Sequence, residues 1–367
     1  MRVVLAVLVT TIIGTSAYAQ RIVADAIACS ACTIDFDLVV RLGSVDGPGA
    51  ITSTPIRAHR DRRGNFIVVQ SDGEPVKVFG PTGAFLLNIG REGSGPGEYR
   101  GVTNAIPIDG DSTVLFDVGL GRATVFDKNF RAVRSVRLPA SLGSAVLIDW
   151  PRVVANGSAM TSEAIGLPLH LLDLSASAVR MLESFGSNGE LRPGDGVRLL
   201  RRLAPSAGDV VWSAPVLEYL IEEWGTDGSW HRSWRRSPEW FDGVSSGSSG
   251  LPNRPPPPHL TALDVDGRGR VWTFVAVASP HWKAAWKDVV IPASGELRQS
   301  KGPSPANLFQ TMVEVIDTAT DSVVTRTKWE RVVVATLHDG TVATYTVDAD
   351  GYPYVEIWKV RLREPEG

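Results

Sequence analysis

The stretch from Gly64 to Gly101, GNFIVVQSDGEPVKVFGPTGAFLLNIGREGSGPGEYRG, most constrains what this chain can fold into. Phe66-Ile67-Val68-Val69, Val76-Lys77-Val78-Phe79 and Ala84–Ile89 are short β-prone runs. Asp61–Asn65 before the first, and Gly80-Pro81-Thr82-Gly83 before the third, are turn chemistry: Asp bonds its own backbone and Gly accepts φ > 0. Two hairpins therefore follow one another with no helical period between them. Gly90–Gly97 is too glycine-rich for the interior of a helix or strand and reads as a connection to a next unit.

Weaker copies recur. Outer hairpins are traced at Val76–Leu87, Ala123–Val136, Leu169–Leu182, Tyr219–Trp234 and Val313–Thr327. An inner hairpin precedes each: Ile56–Val69, Asn104–Phe116, Val146–Met160 (turning at Ala155-Asn156-Gly157), Leu200–Trp212 and Leu260–Phe274. Outer turns recur at roughly 45 residues, stretched once, which is the period of a four-stranded propeller blade. The tail, Val332–Leu362, supplies only three strands of a sixth unit. An open edge invites aggregation, and Asp35–Gly43, a strand standing alone ahead of the repeats, is the natural fourth. The expected fold is all-β: a six-bladed β-propeller with four-stranded antiparallel blades, its ring closed by an N-terminal strand joining the C-terminal blade. One domain is expected over residues 35–363, with a Ser/Gly/Pro loop at 243–258 and an insertion at 280–309 inside it.

Ahead of this lies a leader. Arg2 is the positive start, Val3–Ile13 is apolar, and Ala17-Tyr18-Ala19 is a small-x-small site, so residues 1–19 read as a secretory signal peptide cleaved after Ala19. The apolar run is about half the ~20 residues of a membrane helix. The expected location is periplasmic or secreted, with no membrane span in the mature chain. Removing the leader takes one Arg, leaving a net charge near −4, which gives no nucleic-acid footprint. Thirty-six Gly and twenty-four Pro argue for many turns, hence many strands. The only cysteines, Cys29 and Cys32, sit in the segment 20–34, where an oxidising compartment favours a short disulfide. No His follows Cys32 for haem attachment, and no second CxxC supplies the ligands of a metal site.

Gly83–Tyr99, GAFLLNIGREGSGPGEY, resembles the NHL-type six-bladed propeller repeat, in which an outer strand ends in Ile-Gly and a Gly-rich Pro-Gly-Glu-aromatic link leads to the next blade. Trp224–Gly228, Trp240-Phe241 and Val313–Asp317 echo the uncharacterised bacterial exported six-bladed propellers. The resemblance implies a fold and almost nothing about activity.

The chemistry-bearing residues are sparse. A propeller lyase or lactonase needs three or four His, Asp, Glu or Asn converging at the axis. None of the six histidines forms HxH or HxxxH; His59 and His338 fall on inner hairpins. Asp264–Gly267 and Asp348–Gly351 look like calcium-loop starts without the rest of the loop, and read as turns. Gly243–Gly247 fits G-x-S-x-G without a strand–turn–helix context. Arg91 and Glu98 flank a Gly-rich segment whose amides suit an anion. Trp230, Arg232 and Trp234 share one strand face, as a ligand wall or as packing between blades. Arg91, Glu98, Trp230, Arg232 and Trp234 are thus the candidate ligand residues; no catalytic or metal-binding residue is assigned, and no cofactor, with Ca or Zn at the axis left open. The expected function is a monomeric binding module for a protein, peptide or glycan partner. The alternatives are a metal-dependent lyase or lactonase and a purely structural envelope protein.

Overall fold

Phe66-Ile67-Val68-Val69 is apolar at every position because both faces of its strand are covered. Phe66 and Val68 pack toward the last blade with Ala343 and Ile357, while Ile67 and Val69 pack toward the next blade with Ala105 and Leu115. The same division holds around the molecule. Six apolar clusters each draw on two neighbouring blades, one cluster at every blade boundary.

A computed structural model describes residues 20–159, 164–175, 178–186, 200–206, 208–241, 253–286 and 303–365. The signal-peptide reading of residues 1–19, and Gly243–Gly247, fall outside these. The fold is a six-bladed β-propeller of four-stranded antiparallel blades. Blade one is Pro55–Arg60, Phe66–Gln70, Val76–Phe79 and Phe85–Ile89. Blade two is Val102–Ile108, Ser112–Asp117, Arg122–Phe126 and Ala132–Arg137. Blade three is Ala140–Asp149, Arg152–Ala159, Leu169–Asp173 and Arg180–Phe185. Blade four is Arg201–Pro205, Val210–Pro215, Leu220–Gly225 and Trp230–Arg235. Blade five is His259–Val265, Val271–Ala278, Phe309–Asp317 and Ser322–Trp329. Blade six is Val332–Thr336, Thr341–Val347 and Pro353–Arg363, with Thr33–Leu42 added from the N-terminus.

That added strand closes the ring. It pairs antiparallel with Pro353–Arg363 from Thr33↔Arg363 to Leu42↔Val355. Leu42 is fully buried, Phe36 stacks on Trp329 at 4.0 Å, and Arg41 reaches the buried Glu356 carboxylate at 2.6 Å.

Residues 20–32 do more than the sequence suggests. Gln20–Ile22 adds to blade four as a parallel fifth strand. The chain then crosses blade five, where Ala28 and Cys29 amides donate to Val323 and Val324 carbonyls, and turns through the Cys29–Cys32 disulfide into blade six. Arg236, fully buried, holds this strap through the Val23 and Ala24 carbonyls and Asp25, and pairs at 2.6 Å with the equally buried Glu314.

Blade three departs from the expected register. Its first hairpin turns at Trp150-Pro151, a cis peptide, and Asn156-Gly157 lies within a strand. Asn-Gly ordinarily marks a hairpin turn. Here the Asn156 side chain donates to Pro168 O and accepts the Arg201 amide of blade four, and a Cβ on Gly157 would lie 2.3 Å from Ser141 O.

Deleting residues 20–42 leaves a three-stranded blade and strips Glu356 of Arg41. The melting temperature should fall by at least about 10 °C, whereas deleting 20–32 alone should cost clearly less. Equal losses in thermal melts would show that the strap, not the closing strand, holds the ring.

Candidate functional site

In an antiparallel four-strand blade the connections alternate between two ends. One end carries tight Asp/Gly turns: Asp61 accepts from the Arg63 and Asn65 amides, Asp127 from Asn129 and Arg131, Asp266 from Arg268 and Arg270. Such an Asx turn accounts for Asp266 in Asp264–Gly267, whereas Asp264 lies on the strand before it, and Asp348 caps its own turn likewise at the opposite end. The opposite end is where each inner strand begins; the strands that end at Phe185, Arg235 and Ala278 and those that begin at Arg201, His259 and Phe309 have those termini there. We call it the entry face.

A funnel opens at the axis on this face. Its mouth, about 380 Å³, is lined from the inner strands of all six blades, including Arg57, Thr103, Ser144, Arg202, His259 and Val332. Deeper, it narrows to about 40 Å³ beside His59, Leu203, Leu263 and His338. Ile56, Leu200, Phe309, Val332 and Val334 make much of the mouth apolar. Adjoining it, and sharing Thr54, Pro305 and Phe309, a groove of about 1230 Å³ runs outward across blades five, six and one.

Strand alternation sorts the arginines. Arg201 turns into the blade and pairs with buried Glu222, while Arg202, one residue on, faces the funnel. Arg57 faces it from blade one, on the opposite side of a six-membered ring. Arg57 bonds only to the Ile56 and Gly143 carbonyls and Arg202 only to Leu260 O; among the described residues neither pairs with a carboxylate. Burial pulls the Arg57 guanidinium down to about 9, with the Arg202 charge adding to the effect, and burial pulls Arg202 down to about 10. Both stay charged at neutral pH.

Three histidines meet this channel. His59 Nε2 lies 2.7 Å from Asn104 Oδ1. Buried Asn104 donates its amide to Ala145 O, so its Oδ1 must face His59, and His59 Nε2 carries the proton. Burial depresses His59 to about 4, the Asn104 bond opposes this, and the His338 and Arg57 charges add to the depression. His338, at φ 58°, places Nδ1 3.0 Å from Asp264 Oδ1. His259 sits at the mouth edge-on to Phe309 and bonds Pro257 O; burial lowers its pKa too. His170 is enclosed within blade three, His231 lies on the outer strand of blade four, and His281 borders the groove.

Among the described residues no three His, Cys, Asp or Glu side chains stand close enough to share an ion. Two unpaired guanidiniums beside His59 make the channel repel cations.

The residues singled out in the sequence lie away from the axis. Arg91 and Glu98 pair with each other at 2.7 Å in the link between blades one and two; the Gly95 amide, then Arg91, hold the Glu98 carboxyl below its usual range. Trp234 is fully buried, stacked on Trp212 at 5.3 Å, and donates to Asp321 at 2.8 Å. Arg232 binds Glu223 at 2.5 Å and lies over Trp234. Half-buried Trp230 packs at the boundary of blades three and four. Sequence reading missed Arg57 and Arg202; the signal available was an arginine near the start of each of two inner strands.

No protein-family profile matches the chain. No curated protein sequence matches it significantly. Among solved structures it is similar to a candidate exported protein from Bacteroides fragilis (TM-score 0.57, 13% identity, 95% of this chain and 99% of that one). It is also similar to a member of the DUF4221 family from Bacteroides vulgatus (TM-score 0.57, 9% identity, 90% and 99%). At these identities the likeness shows the fold alone.

His59 should shape acid stability. Folded, it stays neutral to about pH 4; unfolded, it takes a proton near 6.5. Between these values the unfolded chain holds more protons, so stability falls as pH drops. His59→Gln should lessen the loss between pH 7 and 4.5 by about 2 kcal/mol. Urea melts at the two pH values check this, and parallel losses in both proteins would refute it.

Proposed function

We propose that this protein is an exported binding module that takes a polypeptide partner on its entry face, at the axial funnel and the groove leading from it. The observation that carries this reading is the coincidence of the funnel and the adjoining groove at one end of the ring, the end at which the inner strands begin. Ligand sites concentrate where loops surround a concavity on a rigid scaffold. The NHL-like link and the leader sequence fit a periplasmic or secreted propeller of this kind.

A second reading rests on His338 and Asp264, whose 3.0 Å contact would suit proton transfer in a lyase or lactonase. The space beside that pair is about 40 Å³, enough for a water or two and too small for a substrate. The binding reading is therefore preferred.

The test is a displayed random-peptide library selected on the purified protein. Thr54→Trp plugs the mouth, and Lys128→Glu alters an exposed turn on the far face. Selected peptides should lose at least about tenfold in affinity to the first variant and bind the second as they bind the unaltered protein. Peptides indifferent to Thr54→Trp would overturn the entry-face assignment.

A further inference from the structure

Two buried arginines in this protein show what the fold does with a guanidinium it needs for structure. Arg201 is closed onto Glu222, and Arg236 onto Glu314 and Asp25. Arg57 and Arg202 receive no such treatment. They approach one channel from opposite blades, with main-chain carbonyls as their only partners among the described residues. An uncompensated guanidinium in a narrow channel is costly, and two in mutual repulsion cost more. An anion between the two guanidiniums would offset that cost.

We infer that the funnel is a receptor for the C-terminus of a polypeptide: Arg57 and Arg202 take the terminal carboxylate, the apolar mouth takes the last side chain, and the groove takes the residues before it. This rests on the entry-face reading above and specifies its ligand.

The donor inventory selects the anion. A carboxylate carries one charge and about four acceptor positions, which two guanidiniums can fill. A phosphate dianion would match the two charges, but it brings three strongly accepting oxygens, and the apolar remainder of the mouth would leave acceptors unmet. The mouth, at about 380 Å³, has room for a terminal residue, and Ile56, Leu200 and Phe309 favour an apolar one. The groove supplies the direction. Asp72, Glu74 and Glu330 lie along it. A chain running outward from the funnel therefore meets arginines at its carboxylate end and acidic side chains farther back. That polarity suits a peptide with a free C-terminus and neutral or basic residues upstream, and it opposes the reverse orientation. The lowered guanidinium pKa values agree: a bound carboxylate would restore both groups toward their ordinary range.

The probe is a pool of N-acetylated hexapeptides of mixed sequence ending in Leu, made once with a free carboxylate and once as the C-terminal amide. Calorimetry and thermal shift are run on the intact mature chain. The free-acid pool should bind at least about tenfold more tightly than the amide, with an affinity that falls as salt rises. Arg57→Met and Arg202→Met should each remove most of that difference. Both variants should melt at or above the unaltered protein, because each removes an unpaired cation; Arg57→Gln and Arg202→Gln serve if either Met variant does not fold. Acid and amide binding equally, with both lost in Thr54→Trp, would overturn the carboxylate receptor and leave the entry-face reading standing. Protection by 3-phenylpropionate matching that of the peptides, lost in the Met variants, would overturn the polypeptide source. Binding of either pool that ignores Thr54→Trp and both arginine variants would overturn the inference together with the entry-face reading.

Discussion

The pairing of Thr33–Leu42 with Pro353–Arg363 joins the two ends of the chain and makes a ring out of a row of sheets. Each blade is a small twisted sheet with two apolar faces, and no blade can bury both without a neighbour on each side. A row of six leaves its terminal faces bare; a closed ring leaves none. The closing strand also brings Arg41 to Glu356, a carboxylate 1% exposed that Arg331 alone would otherwise hold. Removing one partner from such a buried charge costs far more than the pair contributes. Closure is thus enforced by hydrogen bonding, by apolar burial and by charge together.

The strap upstream extends the same logic. Arg236 and Glu314 sit between blades four and five with no solvent contact, and Tyr219 donates its hydroxyl to Glu314 at 2.5 Å. Burial and then the Glu314 charge drive the Tyr219 pKa well up, so the phenol remains a donor. Asp25 and two strap carbonyls complete the Arg236 shell. The Cys29–Cys32 bridge turns the chain just after this anchor and just before the closing strand. The segment that carries the cysteine pair, read in sequence only for its disulfide, is a belt across three blades.

The blades were legible because their physics is local. Apolar runs and Asp/Gly turns repeat within each hairpin, and a missing strand at one end implies a donor at the other. Blade three was misread where tertiary contacts override a local signal: Asn156 spends its side chain on neighbouring segments, and Gly157 admits a close backbone approach. The axial site was less legible for a related reason. His59 and His338 were visible on inner hairpins, yet Arg57 and Arg202 lie 145 positions apart and meet only across a closed ring. Trp230, Arg232 and Trp234 were read as sharing one strand face by strict alternation, but a register shift at Glu223/Trp224 turns Trp230 toward blade three while Trp234 packs toward blade five.

The contrast between Arg201 and Arg202 bears on why the axis is built as it is. Adjacent residues on one strand point to opposite sides, one into a sheet boundary and one into the funnel. The first is neutralised by Glu222 at a site where every neighbour is fixed, so its charge adds specificity to the packing. The second remains charged, half-solvated and unpaired in a channel that narrows beneath it. The channel narrows from about 380 Å³ at its mouth to about 40 Å³ beneath, so a ligand enters by an end or a tip. The fold therefore restricts the axis to small groups, and the two guanidiniums restrict those groups to anions.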